Sequence, residues 1–303
     1  MTITPATAAV LSMATVDPLI FRAELDTVRG RLDQTRSYAH DTSVWVQYSF
    51  SNFEVSSPAG AGYDMNTRGL TLGTDKSIEL DNGIATLGAF TSYSRSDPEF
   101  YRNGNGEVDS YSIGAYASYL HRSGFYADGV LKANHFSNDT DARMSSGGKA
   151  SGGYSTNGVG LHLQGGKYFY FDNAYIAPYV ALSTFTSDSS EYSLSNGMKA
   201  RVDTQRSVTG ETGIRMGHKF EIKGVQAEPY FRMAVAREFV DNNEVKVNDD
   251  RFINDLSGSR SVYAVGVSAR LTDRLAVQVD ASHSDGKQVD EPWTMNLGVS
   301  WKF

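Results

Sequence analysis

The sequence predicts an all-β protein, a transmembrane antiparallel β-barrel of about twelve strands. Three observations predict it: hydrophobicity with a period of two from about residue 42, alternating short and long connections, and a final strand that alternates to its last residue. An even number of strands closes an antiparallel barrel with both ends on one side. The strand-like runs start near Thr42, Asn66, Gly83, Glu107, Gly124, Ser151, Ala174, Lys199, Gln226, Gly258, Arg274 and Pro292.

The last strand, from Trp293 to Phe303, shows the clearest alternation. Apolar and aromatic residues occupy every second position, and small or polar residues occupy the others. In a membrane barrel such an apolar face meets lipid, with the terminal aromatics at the interface. A soluble β-sandwich also alternates, but its strands are usually shorter. Because the runs here are mostly about 11 to 18 residues, long enough to cross a bilayer at a tilt, we favour the membrane barrel.

The connections alternate in length. Short turns on one side and long polar loops on the other are typical of outer-membrane barrels. Tight turns with suitable residues are predicted at Asp81-Asn82-Gly83, Arg122-Ser123-Gly124, Asp172-Asn173, Lys223-Gly224 and Thr272-Asp273. Longer polar loops are predicted from Ser56 to Tyr63, Asp97 to Gly106, Asp139 to Lys149 and Val240 to Ser257.

Composition excludes several classes of protein. The chain contains no cysteine, which excludes disulfides and cysteine-based zinc sites. A formal net charge of −7 argues against a nucleic-acid partner. No apolar run reaches about 18 residues, so the sequence predicts no transmembrane helix. It also lacks a signal peptide, which a protein bound for the outer membrane needs, so we expect a longer precursor.

Residues 17–36 have the pattern of an amphipathic helix. Asp17 is a suitable N-cap, and Pro18 suits the first helical position. At 1.5 Å per residue the helix would span roughly 30 Å, about the thickness of a bilayer core. From this segment alone, a helix packed against a domain is favoured. Its apolar face carries Phe21, Leu25, Val28 and Leu32, and its charged face carries Arg22, Glu24, Asp26, Arg29, Asp33 and Arg36.

Several segments together resemble the translocator domain of classical (type Va) autotransporters of the pertactin and AIDA-like kind. They cover nearly the whole chain. The hairpin from Ser110 to Leu120 and from Gly124 to Lys132, the run Leu72-Gly-Thr-Asp75, the closing strand from Lys287 through Pro292-Trp293 to Phe303, and the Thr4-Pro-Ala-Thr7 and Pro18–Leu25 segments carry the resemblance.

The resemblance implies a twelve-stranded barrel in the outer membrane of a Gram-negative bacterium, with the N-terminal helix threaded through its lumen. Residues 1–16 would then be a linker remnant, 17–36 a pore-spanning helix and 41–303 the barrel. It implies anchoring and secretion of an N-terminal passenger of the adhesin or virulence type, with the barrel-assembly machinery and membrane lipid as partners. The assembly signal would comprise Met295, Leu297, Val299, Trp301 and Phe303.

A threaded helix would be held by charged pairs that also close the pore. On the helix we expect Arg22, Arg29, Arg31 and Arg36 to contribute, together with Asp26. The candidate partners on the wall are Asp75, Asp128, Glu211, Arg215, Glu228 and Asp280. Because a closed barrel consumes every strand edge, a monomer is expected.

Some family members release the passenger inside the pore with a linker asparagine and acidic wall residues. The first 40 residues contain no asparagine. The corresponding wall segment is Ala177-Pro-Tyr-Val-Ala-Leu182, with alanine at both acidic positions. We therefore expect no asparagine-driven self-cleavage, although Asp26 or Asp33 could still serve another cleavage route.

Two other functions remain as alternatives. An outer-membrane protease of the omptin kind would use paired acids and an Asp–His couple, for which Asp249-Asp250 and Asp280 with His283 are superficial candidates. A passive porin is disfavoured because the helix would block a narrow lumen. The sequence shows no nucleophile elbow, phosphate loop or metal-ligand spacing, so no catalytic residue, cofactor or metal is predicted.

Overall fold

The computed structural model describes residues 3–38 and 42–303. Residues 1, 2 and 39–41 lie outside the described residues, and with them position 41, the predicted start of the barrel. Two helices, α1 (Pro5–Met13) and α2 (Val16–Ser37), precede the strands. The strands are β1 (Thr42–Ser56), β2 (Gly62–Leu80), β3 (Gly83–Phe100), β4 (Gly104–His121), β5 (Phe125–Arg143), β6 (Lys149–Lys167), β7 (Phe169–Phe171), β8 (Ala174–Ser187), β9 (Ser190–Ser193), β10 (Lys199–Val202), β11 (Arg206–His218), β12 (Phe220–Ile222), β13 (Val225–Glu238), β14 (Glu244–Val247), β15 (Asp250–Ile253), β16 (Gly258–Arg270), β17 (Leu275–Gly286) and β18 (Val289–Lys302).

Twelve long strands form a closed antiparallel barrel, as the sequence predicts. Each pairs with the next long strand along the chain, and β18 pairs with β1 to close the ring. The short strands β7 and β12 prolong β6 and β11 beyond the barrel at the short-turn rim. The strands β9, β10, β14 and β15 form a separate four-stranded sheet at the opposite, long-loop rim. In outer-membrane barrels the short turns face the periplasm, which orients the molecule.

The predicted start of one barrel strand was wrong. The run near Lys199 is β10, a strand of the separate sheet, and the barrel strand is β11, which begins at Arg206. Both segments alternate with a period of two, so the pattern cannot distinguish them. Two predicted loops were also too long, because β3 continues to Phe100 and β5 to Arg143. The polar residues there are typical of loops, but they pair between strands, as Glu99 does with Asn105 and Arg143 with Lys149.

The two faces of each strand differ as the alternation predicts. On β18, Met295, Leu297, Val299 and Trp301 are 42–50% exposed on the outer face, and Phe303, just after the strand, is 70% exposed. The intervening side chains of Thr294, Asn296 and Ser300 are buried in the lumen. The polar face therefore lines the interior, and the exposed apolar face is of the kind that meets lipid in membrane barrels.

The N-terminal helix begins earlier than the sequence predicts. It starts at Pro5, where the side chain of Thr4 accepts a hydrogen bond from the backbone of Thr7, so most of the segment assigned as a linker is helical. Thr4 followed by proline and an alanine-rich run is a good helix start. Among the described residues, the stretch Pro5–Ser37 is long and apolar enough to cross a membrane by length and composition alone, and most of it is buried. It lies inside the barrel.

The separate sheet covers the outer end of the helix. Val245 and Val247 of β14 belong to the same buried apolar cluster as the residues of α1. Asn254, which follows β15, donates through Nδ2 to the backbone oxygen of Leu11 at 2.7 Å and accepts from Ser57 Oγ at 2.6 Å. The predicted polar loop from Val240 to Ser257 is therefore partly a folded cap over α1.

Candidate functional site

The lumen, with the helix inside it, is the candidate functional site. A buried ion pair holds the C-terminal half of α2 against the wall. Arg31 Nε donates to Asp75 Oδ2 at 2.7 Å, and Arg31 Nη2 donates to Asp75 Oδ1 at 2.8 Å. Ser43 and Tyr116 also donate to the Asp75 carboxylate, each at 2.6 Å. Both charged side chains are almost fully buried. A bidentate pair with its remaining acceptor sites satisfied is the geometry in which burying charge is tolerated.

A second buried pair lies higher on the helix, and the sequence analysis missed it. Lys132 Nζ donates to Glu24 Oε2, and Asn134 Nδ2 donates to the same oxygen at 2.7 Å. Ser94 Oγ donates to the other carboxylate oxygen at 2.5 Å. The alternation along β5 could have revealed Lys132, because it lies four residues after Asp128 and therefore on the same, lumen-facing side of the strand.

Arg29 contacts the opposite side of the wall. Its Nη2 donates to Glu211 Oε1 at 2.8 Å and to Gln164 Oε1 at 3.0 Å. Arg29 Nη1 also reaches Asp26, one turn earlier on the helix, at 3.1 Å. Tyr179 donates to the Glu211 carboxylate at 2.6 Å. Arg29 thus joins the helix to strands β6 and β11.

The last turn of the helix is held by a network of alternating charges. Arg36 pairs with Asp128 on β5 and with Asp33 on its own helix. Asp33 in turn accepts from Arg215 Nη1 at 2.6 Å. The Arg215 guanidinium lies 3.6 Å from the ring centroid of Tyr230, a cation–π contact. Four charges are therefore connected from β5 through the helix to β11.

Three of the expected contacts differ from the sequence prediction. Arg22 pairs with Glu291, which the sequence analysis did not single out. Asp280 accepts from Asn296 and Gln278 rather than from a helix arginine. Glu228 accepts from Ser37 and Tyr175 at 2.9 Å, and no helix arginine reaches it among the described residues. The alternation along a strand predicts which residues face the lumen, but not how far along the barrel axis each one lies.

Aromatic packing completes the fit of the helix. Phe21 lies against Phe185 with ring centroids 4.8 Å apart, and Lys132 Nζ lies 4.2 Å from the Phe21 ring centroid. Gly160 leaves the space for this ring, because a Cβ at that position would lie 2.2 Å from Phe21 Cζ and 2.4 Å from the backbone oxygen of Thr184. A side chain at position 160 would thus collide with both the helix and the wall.

Little open space remains beside the helix. A cavity of about 70 Å³ lies between α2 and the wall near the outer end, enough for a few water molecules. Charged groups of both signs border it, among them Arg29, Glu211 and Arg260. The lumen is therefore plugged by its own helix in this structure, which does not fit a passive porin.

The candidate protease residues do not come together. Asp280 points into the lumen, whereas His283 lies on the exposed outer face, since residues three apart on a strand face opposite sides. Asp249 and Asp250 lie on the outer sheet and its turn. Ala177, one of the two positions that are acidic in self-cleaving family members, is buried on the lumen wall and offers no carboxylate there. Within the described residues, no group of three or more His, Asp or Glu side chains could hold a metal.

Residues 44–282 match the sequence model of the Autotransporter beta-domain. The chain belongs to the autotransporter β-domain family. It is 43% identical over 99% of its length to the probable autotransporter YpjA of Escherichia coli K12, and 37% identical over 97% to the autotransporter adhesin/invasin TibA of E. coli O78:H11. Pertactin of Bordetella parapertussis is 29% identical over 94% of this chain. The chain spans about a fifth to a third of these relatives, namely 20%, 30% and 31%.

Solved translocator domains share the fold. The β-domain of the Bordetella autotransporter BrkA superimposes with a TM-score of 0.74 and 23% identity, covering 87% of this chain and all of that one. The translocator domain of NalP from Neisseria meningitidis superimposes with a TM-score of 0.71 and 16% identity over 93% of this chain and 97% of its own. The autotransporter β-domain is a transport unit of the Gram-negative outer membrane.

Proposed function

We propose that this domain anchors a longer protein in the outer membrane and helps bring its N-terminal passenger to the cell surface. The direction of the helix supports this function. Its first residues lie under the sheet at the long-loop rim, and its last turn pairs with Asp128 near the short-turn end. Any segment that precedes α1 would therefore leave the barrel on the outer side.

The passenger is proposed to be an adhesin or a related virulence factor. TibA is named as an adhesin and invasin, and this chain matches only 30% of it. Of pertactin, this chain matches 31%. The unmatched length of these relatives leaves room for a large exported domain upstream of the barrel.

Surface display tests the proposal. The domain, fused to a signal sequence and an epitope upstream of Thr4, would be produced in a Gram-negative host. We expect antibody to bind the epitope on intact cells. A matched control carries the epitope in the Asp81–Asn82 turn, where antibody should bind only after permeabilisation. If the upstream epitope also requires permeabilisation, the proposed direction of export is wrong.

We further propose that the barrel-assembly machinery recognises the apolar face of β18 up to Phe303, and that the barrel works as a monomer. The exposed alternate side chains support the first proposal, because they form one continuous strip on the outer face. The closed ring supports the second, because every barrel strand is hydrogen-bonded on both sides.

We also propose that asparagine-driven cleavage does not release the passenger here. The alanines at positions 177 and 181 support this, since their methyl groups cannot act as acids or bases. Electrophoresis of the fused protein should show the full-length band and no separate barrel fragment. If a fragment appears, Asp26→Ala and Asp33→Ala test whether helix carboxylates take part. Replacing Asp33 should also destabilise the protein, because its carboxylate pairs with two arginines, Arg36 and Arg215.

A further inference from the structure

A shallow groove crosses the lipid-facing surface over strands β5, β6, β8, β11, β13 and β16. It follows two adjacent rows of residues that the strand register places side by side. Its volume is about 830 Å³. Five steps between neighbouring strands from β5 to β16 give a length of roughly 24 Å, comparable with an extended acyl chain. One row consists of Gly165, Val180, Thr212, Val235 and Ser261, and the other of Lys167, Pro178, Ile214, Met233 and Tyr263.

Small outward-facing residues create the depression. Gly165 has no side chain, and a Cβ there would meet nothing closer than the backbone oxygen of Tyr126 at 3.7 Å. Thr212 and Ser261 continue the low floor between larger neighbours such as Val180, which is 63% exposed. The groove is thus a feature of side-chain size on an otherwise regular wall.

A cation closes the groove at its periplasmic end. Lys167, the last residue of β6, places its Nζ 4.4 Å from the ring centroid of Phe125 and 5.0 Å from that of Phe169. Within the described residues it forms no ion pair. The two rings hold the ammonium group at the surface, at the level where aromatic residues meet lipid headgroups.

We propose that this groove binds one glycerophospholipid of the periplasmic leaflet. The phosphate pairs with Lys167, and one acyl chain lies along the small-residue floor. Charge complementarity supports this occupant, because an unpaired ammonium at the interface attracts an anionic headgroup. The lining is otherwise uncharged, which suits a hydrocarbon chain. The site is independent of the passenger and of the proposed secretion.

A second groove on the barrel provides an internal comparison. It lies over β1 to β4 and ends at Trp301, and its lining contains no lysine or arginine. Ala89 faces outward on its floor, as Gly165 does in the first groove. Lys76 faces outward near the same rim but lines neither groove. These two residues supply matched control variants.

Native mass spectrometry of the detergent-purified full chain, titrated with phosphatidylglycerol, tests the proposal. We expect one tightly retained lipid per barrel. Lys167→Gln should lower the affinity about fivefold, because it removes one headgroup cation. Gly165→Leu, which fills the floor and keeps the charge, should also lower it. Lys76→Gln and Ala89→Leu should leave it unchanged.

The opposite results are equally definite. Equal affinity in the wild type and in Lys167→Gln overturns the proposal, as does an equal loss in Lys76→Gln, which would indicate binding by overall charge. Excess inorganic phosphate should not displace the lipid; if it does, the acyl chain contributes nothing and the groove is not the site. The heat-dependent gel shift of folded barrels confirms that each variant is folded, and Gly165→Leu provides a second route should Lys167→Gln fail to fold.

Discussion

Arg31 of the helix and Asp75 of β2 form a two-point ion pair inside the barrel, with nitrogen–oxygen distances of 2.7 and 2.8 Å. Neither side chain has meaningful contact with solvent. This pair ties the chain that precedes the barrel to the barrel wall.

Removing one partner of this pair should destabilise the folded barrel strongly. Asp75→Ala leaves the Arg31 charge buried without its carboxylate, which costs about 3 to 5 kcal/mol. Unfolding in urea, followed by gel mobility, measures the change. The double variant Arg31→Met with Asp75→Leu should lose much less, because no charge is left unpaired. A single variant as stable as the wild type would contradict the assigned contact.

The Glu24–Lys132 pair should affect the seating of the helix more than the barrel itself. Lys132→Met removes the cation that Glu24 faces, and the carboxylate is left with Asn134 and Ser94. We expect more frequent openings of the pore in planar bilayers, with an unchanged β-sheet circular dichroism spectrum. The double variant Glu24→Gln with Lys132→Met removes both charges and should restore the closed state in part. Conductance that remains at the wild-type level in Lys132→Met would disprove this role.

The whole helix should close the pore. Deleting residues 1–36 removes almost all of the side chains that fill the lumen beside the small cavity of about 70 Å³. Single-channel recordings should then show large, stable currents where the complete chain shows none or brief ones. Unchanged current after the deletion would refute the plug. Replacing the outer sheet residues Val245 and Val247 by serine provides a milder comparison, since it loosens only the cap.

Insertion should depend on the end of β18. Deleting Phe303 removes the terminal aromatic of the outward strip and should reduce the amount of folded barrel in the outer membrane of living cells several-fold. Leu87→Ala, which shortens another highly exposed apolar side chain, on β3, should have a much smaller effect. Refolding into detergent should be similar for both variants. Undiminished insertion without Phe303 would show that the strip only faces lipid.

The sequence alone predicted the barrel because its signal is local. Alternation with a period of two marks each strand and each inward or outward face, as on β18 from Trp293 to Phe303. Turn residues such as those at Asp81 to Gly83 mark the short connections. The same alternation also misled, because Lys199–Val202 repeats it in a strand that lies outside the barrel.

Partner identity in the lumen was only partly predictable. Arg31 with Asp75, Arg36 with Asp128 and Arg29 with Glu211 join residues that were singled out for charge and parity. Their roles in plugging and positioning the helix remain predictions until the variants above are measured.

What the sequence determined by itself was the number of barrel strands, the face of each residue and the presence of an N-terminal helix. Only the tertiary structure decided that Arg22 meets Glu291, 269 positions later, and that Glu24 meets Lys132. The physical reason is that alternation along a strand determines only whether a side chain faces the lumen or the outside. Its position along the barrel axis depends on the register and tilt of all the strands in the closed ring. The position of the helix along the pore then selects which inward charges meet.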